Sequence, residues 1–214
     1  MITDFFKQDK PIIIWDTETE GLCKFFSRPF QIGFLIVENN KIIKEYESYI
    51  KWDLKISKDA ARVTKFDEKH YKEHATQNKE ILDIFESYLY NPNYYIMGMN
   101  ILSYDSLIHN TWRRNLGFKS DYSWLNRLID IHPLAKGAKL EIPYNRNDDF
   151  LAYQFRMSSI KKKGLKTNLG FLAKENKIEL DENKQHSGLY DCHLVLSIWN
   201  KWLKNKLEGW LMIA

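Results

Sequence analysis

Cysteine is scarce. Cys23 and Cys192 are the only two among 214 residues, too few for a disulfide framework, and no Cys-x2-Cys pair is present to hold a structural zinc ion. Cys23, Cys192 and His193 are therefore not expected to form a zinc site. With no charged-then-apolar leader at the start of the sequence, this usage points to a reducing compartment: the cytoplasm, or host-cell cytoplasm for a viral chain. Long apolar runs are missing too. Runs such as Ile12 to Trp15 and Phe34 to Val37 are far shorter than the ~20 residues of a membrane-spanning helix, so no membrane partner is expected. Neither glycine (nine) nor proline (five) is enriched, which excludes collagen-like and low-complexity classes. What remains is a globular composition, 44% hydrophobic and 28% charged, in a chain long enough to bury a sizeable core.

The formal charge of +4 selects no partner by itself, but it is unevenly spread. Residues 111–170 hold twelve Lys/Arg against five acids, interleaved with Trp112, Trp124, Tyr144, Tyr153 and Phe155. A phosphate-tracking surface with base-stacking platforms needs that pattern, and a solvated face fits it equally.

Pro11 to Asp16 reads as a buried strand, and Phe30 to Val37 with Lys41 to Ile50 as a hairpin around Glu38-Asn39-Asn40. Helices are expected at Ser57 to Phe66 and at Asn78 to Tyr90, the second capped by Asn78. A strand at Tyr94 to Met99, a helix at Ser103 to Leu116 and a strand at Leu128 to Ile131 follow. The segment 136–166 is basic and poorly periodic apart from a helical piece at Phe150 to Ile160, and reads as a surface excursion. Thr167 to Lys177 and Leu189 to Lys206 close the chain as helices around a polar loop at 178–185. No repeat or Gly/Ser linker marks a boundary, so residues 1–214 read as one α/β domain with a five-stranded mixed sheet flanked by helices.

Three segments carry candidate chemistry. Asp16 and Glu18 project to one side of a strand end, where paired carboxylates repel unless a hard cation lies between them; a solvated strand end is the plainer reading. Asp105 follows Asn100 and Tyr104 at a helix start, as a first-turn acid favoured by the helix dipole or as a third metal ligand. Asn100 suits a structural tie at the strand-to-helix junction in either case. His186 sits in a polar loop five residues before Asp191.

In this order the segments resemble the DnaQ-like 3′-5′ exonucleases of the DEDDh type, a superfamily with a ribonuclease H-like three-layer fold. Its motifs correspond to Asp16 with Glu18, Asn100 to Tyr104-Asp105, and His186 to Asp191; the run Leu128 to Lys136 resembles its strand with Asp-Thr-Leu and a following basic residue. Met99 stands where many members have histidine, and Asn100 is one residue further from Asp105 than in the shortest motif. The resemblance implies that Asp16, Glu18, Asp105 and Asp191 hold two divalent ions, Mg²⁺ or Mn²⁺, roughly 3.5–4 Å apart. It implies that His186 is the general base and that Thr17, Leu22 and Tyr104 contact the terminal nucleotide, with Asp130 structural. The expected activity is hydrolysis of the 3′-terminal phosphodiester of DNA, single-stranded or frayed, in replication or repair, releasing nucleoside 5′-monophosphates. An RNA-trimming enzyme is the alternative within the class; a catalytically silent nucleic-acid-binding or polymerase-docking module is the alternative outside it. Trp199, Trp202 and Trp210 exceed what one core face easily hides, which suggests a partner or self-association surface.

Overall fold

The computed structural model describes residues 5–6, 10–53, 56–181, 184 and 186–213. The chain opens with β1 (Ile12–Thr19), β2 (Pro29–Glu38) and β3 (Lys41–Lys51), followed by α1 (Lys58–Thr64), α2 (Glu68–His74), β4 (Thr76–Gln77) and α3 (Asn78–Leu89). It continues through β5 (Tyr95–Gly98), α4 (Asp105–Asn115), a 3₁₀ turn, β6 (Leu128–Asp130), α5 (Ile131–Leu140), α6 (Phe150–Ser159) and α7 (Leu169–Glu175). Helix α8 (Gly188–Ile198), a π turn at Trp199–Leu203 and α9 (Lys204–Ile213) end it. Among the described residues no helix is long and apolar enough to cross a membrane.

The sheet runs β4-β3-β2-β1-β5-β6. Strands β1, β2 and β3 pair antiparallel, and β5 and β6 extend the sheet parallel to β1. The five expected strands are present; a sixth, β4, pairs only Thr76 and Gln77 with the end of β3 and is too short to leave a periodic signal. Alternation along β1 divides the core. Ile13 and Trp15 pack on α3 and α4, whereas Ile14 packs on the opposite layer with α5, α6 and α8. Asp16 and Glu18 continue the Ile14 row.

Several local expectations are corrected. Asn78 is the first residue of α3 and the N-cap is Gln77, which makes no side-chain capping bond. Helix α2, capped by the Asp67 side chain, fills a stretch with no expected element. The excursion at 136–166 lies only partly on the surface: Tyr144, Phe150, Tyr153 and Met157 are buried, because the spacing 150, 153, 157 turns one face of α6 inward. Helix α5 starts before it, with the Asp130 carboxylate accepting from the His132 amide and Pro133 in the first turn, where no helical N–H is missed. The final helix is present as expected and runs through a π turn and on past Lys206, with Trp199 buried and Trp202 and Trp210 packed half-buried on the same core. Of the expected polar loop at 178–185, residues 182, 183 and 185 lie outside the described residues.

The close approach of α8 to the sheet depends on Gly33. In the β-ladders Gly33 lies opposite Asp16 on one side and Glu47 on the other. A Cβ on Gly33 would lie 2.1 Å from the Leu189 nitrogen and 2.3 Å from the Gly188 carbonyl carbon. Because the obstacle is backbone, Gly33→Ala must displace α8, at a cost of about 3 kcal/mol. Thermal melting of this variant should show a midpoint at least about 6 °C below wild type; an unchanged midpoint would refute the packing argument.

Candidate active site

The C-terminal end of β1, the first turn of α4 and the first turn of α8 meet at one end of the sheet, beside the interior strand β1. Asp105 is 3% exposed and accepts a hydrogen bond from the Thr17 hydroxyl at 2.5 Å. Glu18 and Asp191 are 8% and 9% exposed. One donor atom from each of Glu18, His186 and Asp191 lies within 4.8 Å of the others. The fold thus brings together the four acids and the histidine of the three sequence motifs: Asp105 and Asp191 lie close enough to Asp16 and Glu18 to raise their pKa values, and His186 borders Glu18 and Asp191.

Burial is the first cause of every shift among the four acids, and repulsion within the cluster follows it at Asp16 and Glu18. The Asp16 carboxyl is pushed well above the ordinary range by burial and then by Asp105, Asp191 and Glu18. Glu18 is raised to about 8 by burial, then by Asp191, Asp105 and Glu47. Burial raises Asp105 to about 7 against the opposing Thr17 hydrogen bond, and Asp191 to about 6 against a bond from the His186 amide. His186 shifts the other way: partial desolvation of its ring beside the cluster and then the Lys65 charge lower its pKa, so the imidazole is neutral at pH 7. The residue is exposed, with its backbone in the left-handed region at φ 64°.

The donor set fits divalent metal. It is rich in hard carboxylate oxygens, and Asp191 Oδ1 is buried with no hydrogen-bond partner, a costly state that a cation would relieve. Tyr104, Asn100 and Asp130 make bracing contacts around the cluster. The Tyr104 hydroxyl lies 3.0 Å from the Gly21 carbonyl and 2.7 Å from the Thr19 hydroxyl, tying the loop after β1 to the start of α4. Asn100, at φ 65°, donates its amide to Asp130 while its side-chain oxygen meets the His132 ring at 3.1 Å. Asp130 is fully buried and accepts the amides of Asn100, Leu102 and His132, which makes it a structural anchor of the turn that delivers Asp105.

Two features escaped sequence reasoning. On the loop after β1, Phe25 and Phe26 join Leu22 as exposed apolar side chains, 55%, 80% and 85% accessible. The loop is held rigid by Arg28, which forks onto Glu20 at 2.8 and 3.0 Å, and by Lys24 donating to the Ser103 carbonyl. Two adjacent aromatics in a polar loop were the available signal. The second feature is Glu47 on β3, whose carboxylate accepts from the Ser187 hydroxyl at 2.8 Å and the Leu189 amide at 3.2 Å, capping α8 from across the sheet. Nothing in the alternation of β3 distinguishes it from a solvated glutamate.

Two stability predictions follow from this geometry. Loss of the α8 cap in Glu47→Ala should cost about 1 kcal/mol, lowering the melting midpoint by about 2–4 °C, with Glu47→Gln nearer wild type because an amide oxygen still accepts. In metal-free protein the raised carboxyls make the folded state hold more protons than the unfolded chain, whose carboxyls titrate near 4. Stability should therefore fall as pH rises from about 5 to 8, the range set by Asp191, Asp105 and Glu18. Melting in EDTA across this range should show Glu18→Gln gaining on wild type by about 5 °C or more; parallel curves would contradict the assigned shifts.

The chain is similar in fold to E. coli exonuclease I. Against that protein in complex with a dA16 oligonucleotide the TM-score is 0.73 at 17% identity, covering 95% of this chain and 42% of that one. Against its complex with a dT13 oligonucleotide the values are 0.72, 17%, 94% and 43%. The chain thus spans less than half the length of the structures it matches. Among curated proteins no sequence relative is similar enough to register. A family model described as RNase T, Exonuclease, matches residues 13–199, so the chain belongs to the ribonuclease T exonuclease family and to the hydrolases.

Proposed function

We propose that the protein is a 3′-5′ exonuclease that removes nucleoside 5′-monophosphates from the 3′ end of single-stranded or frayed DNA. The observation that carries this reading is the convergence of Asp16, Glu18, Asp105 and Asp191, with one buried carboxylate oxygen unpartnered, beside a neutral exposed imidazole. These four acids would hold two divalent ions, Mg²⁺ or Mn²⁺. When bound, such ions supply Lewis-acid polarisation of the phosphodiester and acidify water.

The chain's own groups do the rest. His186 takes the proton of the attacking water on a ring nitrogen, for which its lowered pKa suits it at neutral pH. Thr17 keeps the Asp105 carboxylate oriented through its hydroxyl. Leu22, Phe25 and Phe26 offer apolar surface for the terminal bases, on a loop whose rigidity lowers the entropic cost of stacking. The single-stranded substrate is supported by the oligonucleotides bound in the solved complexes of E. coli exonuclease I.

The test is a gel time course on 5′-labelled single-stranded DNA and matched RNA, with Mg²⁺, Mn²⁺ or EDTA. Wild type should shorten DNA from the 3′ end only when metal is present. Asp16→Ala should lose turnover while still binding DNA, and His186→Ala should fall by about 10²-fold or more. An intact label under every condition would reject the enzyme, and faster RNA shortening would move the substrate to RNA.

A further inference from the structure

Beyond the carboxylate cluster, the end of the sheet carries a second charged feature. An open groove of about 440 Å³ is lined by His132, Lys136, Lys161, Lys162, Lys163 and Thr167, and no lining residue is acidic. Lys161, Lys162 and Lys163 are exposed, and among the described residues none of them is in an ion pair. By contrast, Lys139 and Arg156 in the same segment pair with Glu175 and Asp148.

The lysines sit on a built turn. The Leu165 amide closes onto the Lys162 carbonyl at 3.1 Å, and Gly164 takes φ +83°, a conformation that favours glycine. Both ends of the turn are clamped. Lys136 Nζ donates to the Ser158 and Ile160 carbonyls at its entry, and Lys139 Nζ donates to the Lys166 carbonyl at its exit. Three adjacent ammonium groups on a clamped turn repel one another, and a polyanion removes that cost.

The groove also adjoins the catalytic end of the sheet. His132 follows β6, next to β5 in the sheet, and its ring is bonded to Asn100, which begins the turn leading to Asp105. We infer that this groove binds the phosphate backbone of the single strand upstream of the scissile bond, with Lys161, Lys162 and Lys163 as its phosphate contacts. A row of ammoniums along an open groove suits a chain of phosphates better than one small anion, which convergent donors would surround. The inference rests on the nuclease reading for its substrate.

Two readouts separate the two claims. Hydrolysis of the p-nitrophenyl ester of thymidine 5′-monophosphate, which reaches only the carboxylate site, tests the nuclease. Fluorescence anisotropy of labelled dT20 in EDTA, over a range of salt, tests the groove without cleavage. The triple variant Lys161→Gln, Lys162→Gln, Lys163→Gln should bind dT20 at least about fivefold more weakly at 0.1 M salt. Its plot of log K against log salt should flatten by about 2, the value for three single-strand phosphate contacts, with ester hydrolysis unchanged. A control with Lys41→Gln, Lys201→Gln and Lys206→Gln removes the same charge outside the groove and should leave the slope near wild type. An unchanged slope in the groove variant, an equal loss in the control, or no dT20 binding by wild type would overturn the groove. Ester hydrolysis absent from wild type would overturn the nuclease while leaving the slope to judge the groove.

Discussion

The backbone of β2 at Gly33 lies against the backbone of α8 at Gly188, and that contact sets how far Asp191 stands from the acids of β1. Gly33 is opposite Asp16 in the ladder, so the helix rests on the sheet beside the first acid of the cluster. A side chain at Gly33 would push the helix away by the thickness of a methyl group, and at Gly188 it would press on the Asp16 carbonyl at 3.2 Å. Three further groups hold the same junction: Gln31 accepts from the Gly188 amide, Glu47 from Ser187 and Leu189, and Cys192 donates to the Gly33 carbonyl. The position of the fourth carboxylate is thus fixed by backbone packing rather than by attraction among the acids, which is absent.

Repulsion among the acids has to be withstood by the rest of the protein. Four carboxyls raised above their ordinary range cost the folded state stability as pH rises, and the apolar layers on both faces of the sheet supply the opposing stability. Trp15, Trp112, Trp124 and Trp199 are almost wholly buried, each removing a large apolar area from water. The register of β1 is decisive for the cluster: a shift of one residue in either direction would move both Asp16 and Glu18 to the opposite face of the sheet, away from α8.

The sequence made the cluster legible through the order of three segments, each of which has a plainer reading alone. Period-two alternation put Asp16 with Glu18, and a helix start marked Asp105, while His186 with Asp191 gained meaning only from the resemblance of the whole set to an exonuclease family. The braces were not legible in that way. Glu47 is 140 residues from Ser187, and its role exists only once β3 and α8 are neighbours. The two-residue β4 and the π turn at Trp199–Leu203 likewise follow from tertiary pairing, with no periodicity to announce them. The segment 136–166 was half legible: its charge and the helical piece at Phe150 to Ile160 were visible, but the burial of Phe150, Tyr153 and Met157 depends on the distant core that they meet.

Position along the strands ties these parts together. Strands β1, β5 and β6 run parallel, so their C-terminal ends and the turns that follow them open on the same side. At β1 that side carries Asp16, Glu18 and the loop of Leu22, Phe25 and Phe26; at β5 it carries the turn from Asn100 to Asp105; at β6 it carries Asp130 and His132. Asp130 accepts amides from both the β5 turn and the start of α5, so one buried carboxylate fixes two of the three turns relative to each other. Tyr104 fixes the third by its contact with Gly21. The crevice outside the strand ends is therefore a rigid frame, and side chains that leave it outward can differ widely in chemistry without disturbing the geometry of the acids.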